Sequence, residues 1–286
     1  MKLFSLSQIN SLDEFNRFDL RELLEPSRQV YPNFDKWIEK VKSELGNGTR
    51  VVILSLMYES TKVEEIKPVG ISILKNSSEE KKICLLYVLK EYRLGRIGSD
   101  LFGFSKSILR FDFNINVPIN SNSENFQSIN QFLKKRNFSF IGINITSDDV
   151  CEEVFSYLNP GRKKDSVILS IKPEYSSQII NGIKLVEFRK SIFNTNIKKV
   201  LIYSSSPSRK AIGLMIINGI DKDTPQNLWN AYKSVGGISK DKFFEYFKGK
   251  SEGYAIQIEK VYRFKNELNL HFLINDFTAP QLFMYL

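Results

Sequence analysis

The chain of 286 residues is long enough for two domains, each with its own core, and 42% hydrophobic with 26% charged residues is an ordinary globular balance. No apolar run approaches the roughly 18 residues of a membrane span, and the N-terminal "MKLFSLSQINSLDEFNRFD" turns acidic before a signal-peptide core could form, so a soluble, cytoplasmic chain is expected. Residues 1–158 hold 21 Lys+Arg against 21 Asp+Glu, whereas 159–286 hold 20 against 11, so the net charge of +9 belongs to the second part, which suggests a polyanionic partner such as RNA there.

In chain order, "KLFSL" is expected as a short first strand, followed by helices in "LDEFNRFDLRELL" and "PNFDKWIEKVKSEL", where Phe34, Trp37, Ile38 and Val41 recur at helical spacing. "RVVILSLMYE" and "KPVGISILKN" read as paired strands, "KKICLLYVLK" as a third, "IGSDLFGFSKSILRF" as a helix behind it and "FNINVPI" as another strand. Ser121 and Glu124 have capping-box spacing before "NFQSINQFLKKR", whose apolar stripe is Phe126, Ile129, Phe132 and Leu133, and "FSFIGINI" closes the series as a strand. These elements make a mixed α/β (α+β) domain over 1–158. The turn and charge run "NPGRKKDS", 159–166, reads as a linker, and 167–286 as a second domain. Cys84, Cys151 and the single His271 are too dispersed for metal-ligand spacing, so no metal is expected.

The junction "LLYVLKEYRLGRIGSDLF" carries an apolar strand through a glycine-bearing turn into a helix. Such a turn points backbone amides outward and sets the positive end of the helix dipole toward an anion, and Arg93 and Arg96 add charge. With the order of elements around it, Ile9 to Ile145 resembles the GNAT acetyltransferase superfamily, in which the fourth strand, here ending in Tyr87 and Val88, and the turn Q/R-x-x-G-x-G/A hold the pyrophosphate of acetyl-CoA. The resemblance assigns this role to Arg93, Leu94, Gly95, Arg96, Ile97, Gly98 and Ser99, with Arg96 at the pattern's central glycine, and assigns the cofactor arm to Asn125. The family's tyrosine general acid falls on Leu133, which cannot donate a proton, and no catalytic base is identified.

In "VILSIKPEYSSQIINGIKLVEFRKS", Pro173 suits the first turn of a helix and Gly182 its C-terminal cap, and a strand restarts near Lys184. Period-2 alternation sets Leu185, Glu187 and Arg189 on one face and Val186 and Phe188 on the other; a surface ion pair and a recognition cluster both satisfy that pattern. Asp165 to Leu286 resembles an ASCH domain, a β-barrel of the PUA-like class, through the G-x-K-x-x-E-x-R signature at Gly182, Lys184, Glu187 and Arg189. That resemblance implies RNA or nucleoside recognition by Lys184, Glu187 and Arg189, and Lys172 is placed in the same binding set. The loop "SSSPSRK", with Ser206, Arg209 and Lys210, reads either as a flexible hairpin loop or as hydroxyls and cations suited to phosphate contacts. Tyr175, Tyr203, Trp229 and Tyr254 are candidate stacking partners, of which at most two are expected to meet a ligand. ASCH amidohydrolases acting on N4-acetylcytidine use a Lys, Thr and Glu trio; the last two fall on Glu187 and Gln257, which points away from hydrolysis. Three functions therefore stand: an acetyl-CoA-dependent N-acetyltransferase with an appended RNA- or nucleoside-recognising domain, a non-catalytic RNA-binding protein with a degenerate first domain, and an ASCH hydrolase.

Overall fold

The computed structural model describes residues 2–59, 62–93, 95–110, 113–118, 129, 131–146, 149–157, 166–274 and 276–286. The chain forms two compact units: Met1–Ser121 with Phe132–Ser139 and Asn144–Pro160, and Gly161–Leu286 with Asn122–Gln131 and Phe140–Ile143. No helix among the described residues is long and apolar enough to cross a membrane.

The elements up to Tyr157, of which only Phe140–Ile143 is grouped with the second unit, run β1 (Lys2–Ile9), α1 (Leu12–Asn16), α2 (Arg21–Arg28), α3 (Phe34–Ser43), β2 (Arg50–Glu59), β3 (Lys62–Asn76), β4 (Lys81–Val88), α4 (Ile97–Leu109), β5 (Asn114–Pro118), β6 (Phe138–Ile145) and β7 (Cys151–Tyr157) among the described residues. Their mixed sheet has the order β1-β2-β3-β4-β5-β7-β6. The first four strands form an antiparallel meander, and β5 then joins β4 in parallel. Among the described residues the β4–β5 ladder stops after Lys82↔Asn114 and Ile83↔Ile115, although β4 continues to Val88 and β5 to Pro118. Helix α4 packs on one face of the sheet: the Ser105 hydroxyl meets the Ser72 hydroxyl at 2.8 Å, and a Cβ at Gly70 would stand 2.8 Å from Leu101 Cδ1. Helices α2 and α3 bury Leu23, Leu24, Phe34, Ile38 and Val41.

Two local expectations change. The helix read across "LDEFNRFDLRELL" is two helices, because two caps compete within one apolar pattern. Ser11 Oγ accepts from the Glu14 amide at 3.2 Å and starts α1, and Asp19 Oδ1 accepts from the Arg21 amide at 3.1 Å beside the start of α2. Strand β7 was not read at all. It is buried on both faces, so the adjacent carboxylates Glu152 and Glu153 replace the alternation by which a half-exposed strand is recognised.

The second unit runs β8 (Ser166–Ile171), α5 (Pro173–Ile180), β9 (Val186–Arg189), β10 (Lys199–Ser204), β11 (Lys210–Asp223), α6 (Pro225–Tyr232), α7 (Lys240–Phe247), β12 (Gly253–Leu268), α8 (Leu270–Leu273) and β13 (Phe283–Tyr285). Its six-stranded sheet, β13-β8-β10-β11-β12-β9, is antiparallel except for β8–β10. Register shifts along β11–β12 bend the longest hairpin, as bulges do. The sheet curls into a half-barrel, so edge strand β9 faces β8, and Arg189 Nη2 donates to the Ser170 carbonyl across the opening at 2.6 Å. One core lies inside the curl around Val167, Leu169, Ile202, Met215 and Ile256. A second core joins Val186 and Phe188 to Leu228, Phe243 and Phe247 of α6 and α7.

Candidate functional site

In the first unit, β4 passes through a single 3-10 turn, Lys90–Tyr92, into α4. Arg96 is the N-cap residue of the 13-residue helix α4, and its side chain makes no capping hydrogen bond to the first-turn amides. Gly95, Arg96 and Ser99 are exposed and Gly98 is half-buried. A Cβ on Gly98 would meet only Val88 Cγ2 at 3.8 Å, and one on Gly95 only the Tyr92 carbonyl at 3.5 Å, so the helix terminus is open to an approaching anion. Arg93 folds back on the strand end: its Nε donates to the Val88 carbonyl at 3.0 Å and its guanidinium lies 5.1 Å from the Tyr87 ring centroid.

A cation that sequence reading missed stands at the same turn. Arg136 Nη2 donates to Ser99 Oγ at 2.7 Å, and the guanidinium is seated 3.6 Å from the Phe132 ring centroid. It closes a "KKR" run that reads as a solvated helix end, and only the fold brings it to α4. Leu94, Asn125, Phe126 and the Ser121–Glu124 capping box lie outside the described residues. Leu133 is buried with 1% exposure, a core position.

In the second unit, both faces of β9 are buried. Val186 and Phe188 pack against the helices, while Glu187 and Arg189 point into the curl; exposures of 2%, 6% and 8% for Lys184, Glu187 and Arg189 rule out a surface pair. Glu187 bridges the two cations, with Oε2 3.5 Å from Lys184 Nζ and Oε1 3.1 Å from Arg189 Nε. The latter contact is too bent for a hydrogen bond, leaving Arg189 Nε and the nearby buried Ser170 hydroxyl without hydrogen-bond partners. Burial pushes the Lys184 ammonium below its ordinary pKa, opposed by the charge of Glu187.

Two glycines fix Lys184, and neither was singled out from the sequence. Lys184 Nζ donates to the Gly236 carbonyl. A Cβ on Gly236 would lie 2.6 Å from Phe188, and one on Gly237, whose φ is +60°, would collide with Gln178 and lie 2.9 Å from Lys184 Cβ. The Gly-Gly pair was the available signal for this close backbone approach. Tyr175, 5.3 Å from Lys184 Nζ by its ring centroid, lines a cleft of about 310 Å³ with Glu174, Gln178, Gly237, Ser239 and Lys242.

The remaining candidates divide. Lys172 is the exposed N-cap of α5, and the Ser205 amide donates to the Ile171 carbonyl at 2.9 Å, so the Ser206–Arg209 loop and Lys172 share the end of β8 that Arg189 reaches at Ser170. Ser206 and Arg209 are exposed, while Lys210 is held by Glu267 at 3.3 Å. Tyr203 is a core residue at 1% exposure, edge-on to Phe277, and is removed from the stacking set, while Trp229 is half-buried and packs against Phe243. Tyr254 is half-buried and pairs across strands with Arg189. Gln257 donates to Asp221 and to Tyr232, each at 3.0 Å, and it pairs with Val186, on the opposite face from Glu187.

No family model matches the sequence. The chain is 29% identical over 177 residues to the ATP synthase subunit alpha of Ureaplasma parvum, which covers 61% of this chain and 20% of that protein. It is 25% identical over 123 residues to the large ribosomal subunit protein uL22 of the same species, covering 43% of this chain and 39% of that one. The chain thus spans well under half the length of these two relatives. An ASCH domain-containing ribonuclease of Zymomonas mobilis is 27% identical over 130 residues, 44% of this chain and 86% of its own. Among solved structures, the Zymomonas mobilis ASCH protein has 23% identity and a TM-score of 0.41 over 43% of this chain and 89% of its own. A GNAT-family acetyltransferase from Staphylococcus aureus has 15% identity and a TM-score of 0.37 over 54% of this chain and 98% of its own. By their names, the Zymomonas mobilis proteins are ASCH proteins and the Staphylococcus aureus structure is a GNAT acetyltransferase, whereas the two Ureaplasma parvum relatives are named for neither family.

Proposed function

We propose that the chain is an acetyl-CoA-dependent N-acetyltransferase with an RNA- or nucleoside-recognising second unit. The observation that carries the first half is the coincidence of an exposed helix terminus, which the Arg96 side chain leaves without a capping bond, with a strand edge that loses its partner among the described residues. Beyond Ile83 the β5 side of β4 has no ladder partner among the described residues, so an extended arm can hydrogen-bond there while its phosphates meet the amides of residues 97–99. Arg136, and Arg93 at the strand end, add positive charge for the same phosphates. When bound, acetyl-CoA supplies an activated acetyl thioester. The protein's part is to fix its phosphates, align its arm along β4 and leave thiolate protonation to water, since Leu133 is a buried hydrocarbon. Arg96 is exposed and makes no capping contact, which favours ligand access over a degenerate turn.

Recognition in the second unit rests on Lys184, Glu187 and Arg189. The bent Arg189 contact leaves its Nε with hydrogen-bonding capacity that a base edge can use. Lys172 and the exposed residues Ser206 and Arg209 stand at the same end of β8 for phosphate contacts. A second reading, RNA cleavage in this cleft, draws on the Zymomonas relative named a ribonuclease. The N4-acetylcytidine trio finds no support, with Gln257 on the opposite strand face and bonded to Asp221 and Tyr232. Native mass spectrometry of the full chain with acetyl-CoA and short RNAs tests both halves: one acetyl-CoA and one RNA per chain support the reading, and absence of either adduct removes that half. Shortened RNA products that disappear in Lys184→Met would favour cleavage.

A further inference from the structure

The face of the first sheet opposite α4 carries a cavity that the cofactor reading does not use. It has a volume of about 570 Å³, within the usual range for small-molecule sites, and it is roofed by Tyr31, Phe34 and Trp37. Its floor includes Cys84 and Leu85 of β4 and Asn116 of β5, just past the point where those strands cease to pair. Six charged side chains line it: Lys36, Lys40, Arg50, Lys75, Lys82 and Glu152.

Glu152 is 7% exposed and accepts three hydrogen bonds, from Tyr31 Oη at 2.6 Å, Asn116 Nδ2 at 2.7 Å and Asn144 Nδ2 at 3.1 Å. All three donors are neutral. They orient the carboxylate without balancing its charge, and the cavity's paired cations are committed elsewhere: Arg50 and Lys40 to Glu44, Lys75 and Lys82 to Glu80. A buried carboxylate in that state favours an incoming cation. The other pole has opposite character. Arg50, Lys75 and Lys82 are directly cross-strand, by the pairs Arg50↔Lys75 and Lys75↔Lys82, a juxtaposition of like charge that is unfavourable unless anions attend it. Glu44 and Glu80 offset part of it, and Lys36 and Lys40 add charge at the roof.

We propose that this cavity binds a small primary amine that also carries an anionic group, the ammonium on Glu152 and the anion on the Arg50–Lys75–Lys82 row, and that this molecule is the acetyl acceptor. The ammonium passes one proton by way of Glu152 to solvent, the free amine nitrogen bonds the acetyl carbon as the thioester C–S bond breaks, and the second nitrogen proton passes through water to the departing thiolate. The acceptor role rests on the acetyltransferase reading above; the binding site rests on the cavity alone. A volume of about 570 Å³ suits a metabolite, and the cavity floor lies where β4 and β5 part, beside the strand edge along which the acyl donor would lie.

Calorimetry on the full chain, with and without acetyl-CoA, uses four probes: ethanolamine, inorganic phosphate, glycine and O-phosphoethanolamine. One of the two bifunctional probes is expected to bind at least tenfold more tightly than ethanolamine and phosphate, and which one does so separates a carboxylate from a phosphate ligand. Glu152→Gln should abolish that advantage while leaving phosphate binding intact. Lys36→Met, an exposed change that does not touch the buried carboxylate, should weaken the bifunctional probe and leave ethanolamine unchanged. Equal binding of all four probes, or none while acetyl-CoA binds, overturns the site and leaves the acetyltransferase reading standing. Probe binding with no acetyl-CoA binding instead overturns the acceptor role.

Discussion

Arg189 and Ser170 belong to strands at different positions of one curled sheet, yet the Arg189 guanidinium donates to the Ser170 carbonyl at 2.6 Å. That bond bridges the opening of the half-barrel and holds Arg189 over Glu187, whose carboxylate also faces Lys184. The cluster is therefore both a structural tie and a binding surface, and substitutions should separate the two roles.

Glu187→Gln leaves Lys184 and Arg189 as buried cations without a counter-charge. Removing one member of a buried ion pair costs about 3–5 kcal/mol, so urea denaturation should show a loss of that order. The triple change Lys184→Met, Glu187→Leu and Arg189→Met, which removes all three buried charges, should recover much of it while abolishing RNA binding. Recovery of stability with RNA binding retained would show that the cluster is structural only.

Glu153 supplies a pH dependence. Its carboxyl is fully buried with neither oxygen hydrogen-bonded, and burial holds its pKa well above the ordinary carboxylate value. Between that ordinary value and the raised one, the unfolded chain has lost the proton that the folded chain keeps, so stability falls as pH rises through the window. Glu153→Gln should flatten the fall in melting temperature over that window. An unchanged slope would mean that Glu153 is ionised in the folded protein.

Arg136 is expected to act through charge at the α4 terminus. Its loss removes a charge-assisted hydrogen bond of about 1.5–3 kcal/mol, so Arg136→Ala should weaken acetyl-CoA binding by roughly tenfold or more. Arg136→Lys should restore part of the affinity if charge matters more than the fork geometry. Equal affinity for wild type and Arg136→Ala would assign this side chain to packing on Phe132 and Phe102.

The basic end of the second unit predicts a salt effect. For single-stranded RNA the logarithm of affinity should fall linearly with the logarithm of salt, with a slope near −0.7 per neutralised phosphate. Arg209→Ala should make the slope shallower by about that amount without changing base preference. A salt-independent affinity would leave the excess charge as surface composition.

Legibility followed the distance over which each feature is encoded. Lys184, Glu187 and Arg189 lie within one short segment, where strand alternation and a spaced signature both point to them. The turn at Gly95–Ser99 is equally local, since strand, glycine and helix follow one another. Glu152 was invisible because its partners Tyr31, Asn116 and Asn144 come from three separated stretches and because β7 lacks an alternating pattern. Arg136 reaches Ser99 across 37 positions. Tyr203 erred the other way: a tyrosine at the end of a strand suits a stacking platform, but the packing of Phe277 places it in the core.

Titration calorimetry of acetyl-CoA into the full chain tests the acetyltransferase reading most directly. The account predicts saturable one-to-one binding with Kd below about 1 mM, the upper range of ordinary substrate affinity, weakened by Arg136→Ala. Absence of saturable binding at that concentration would contradict it.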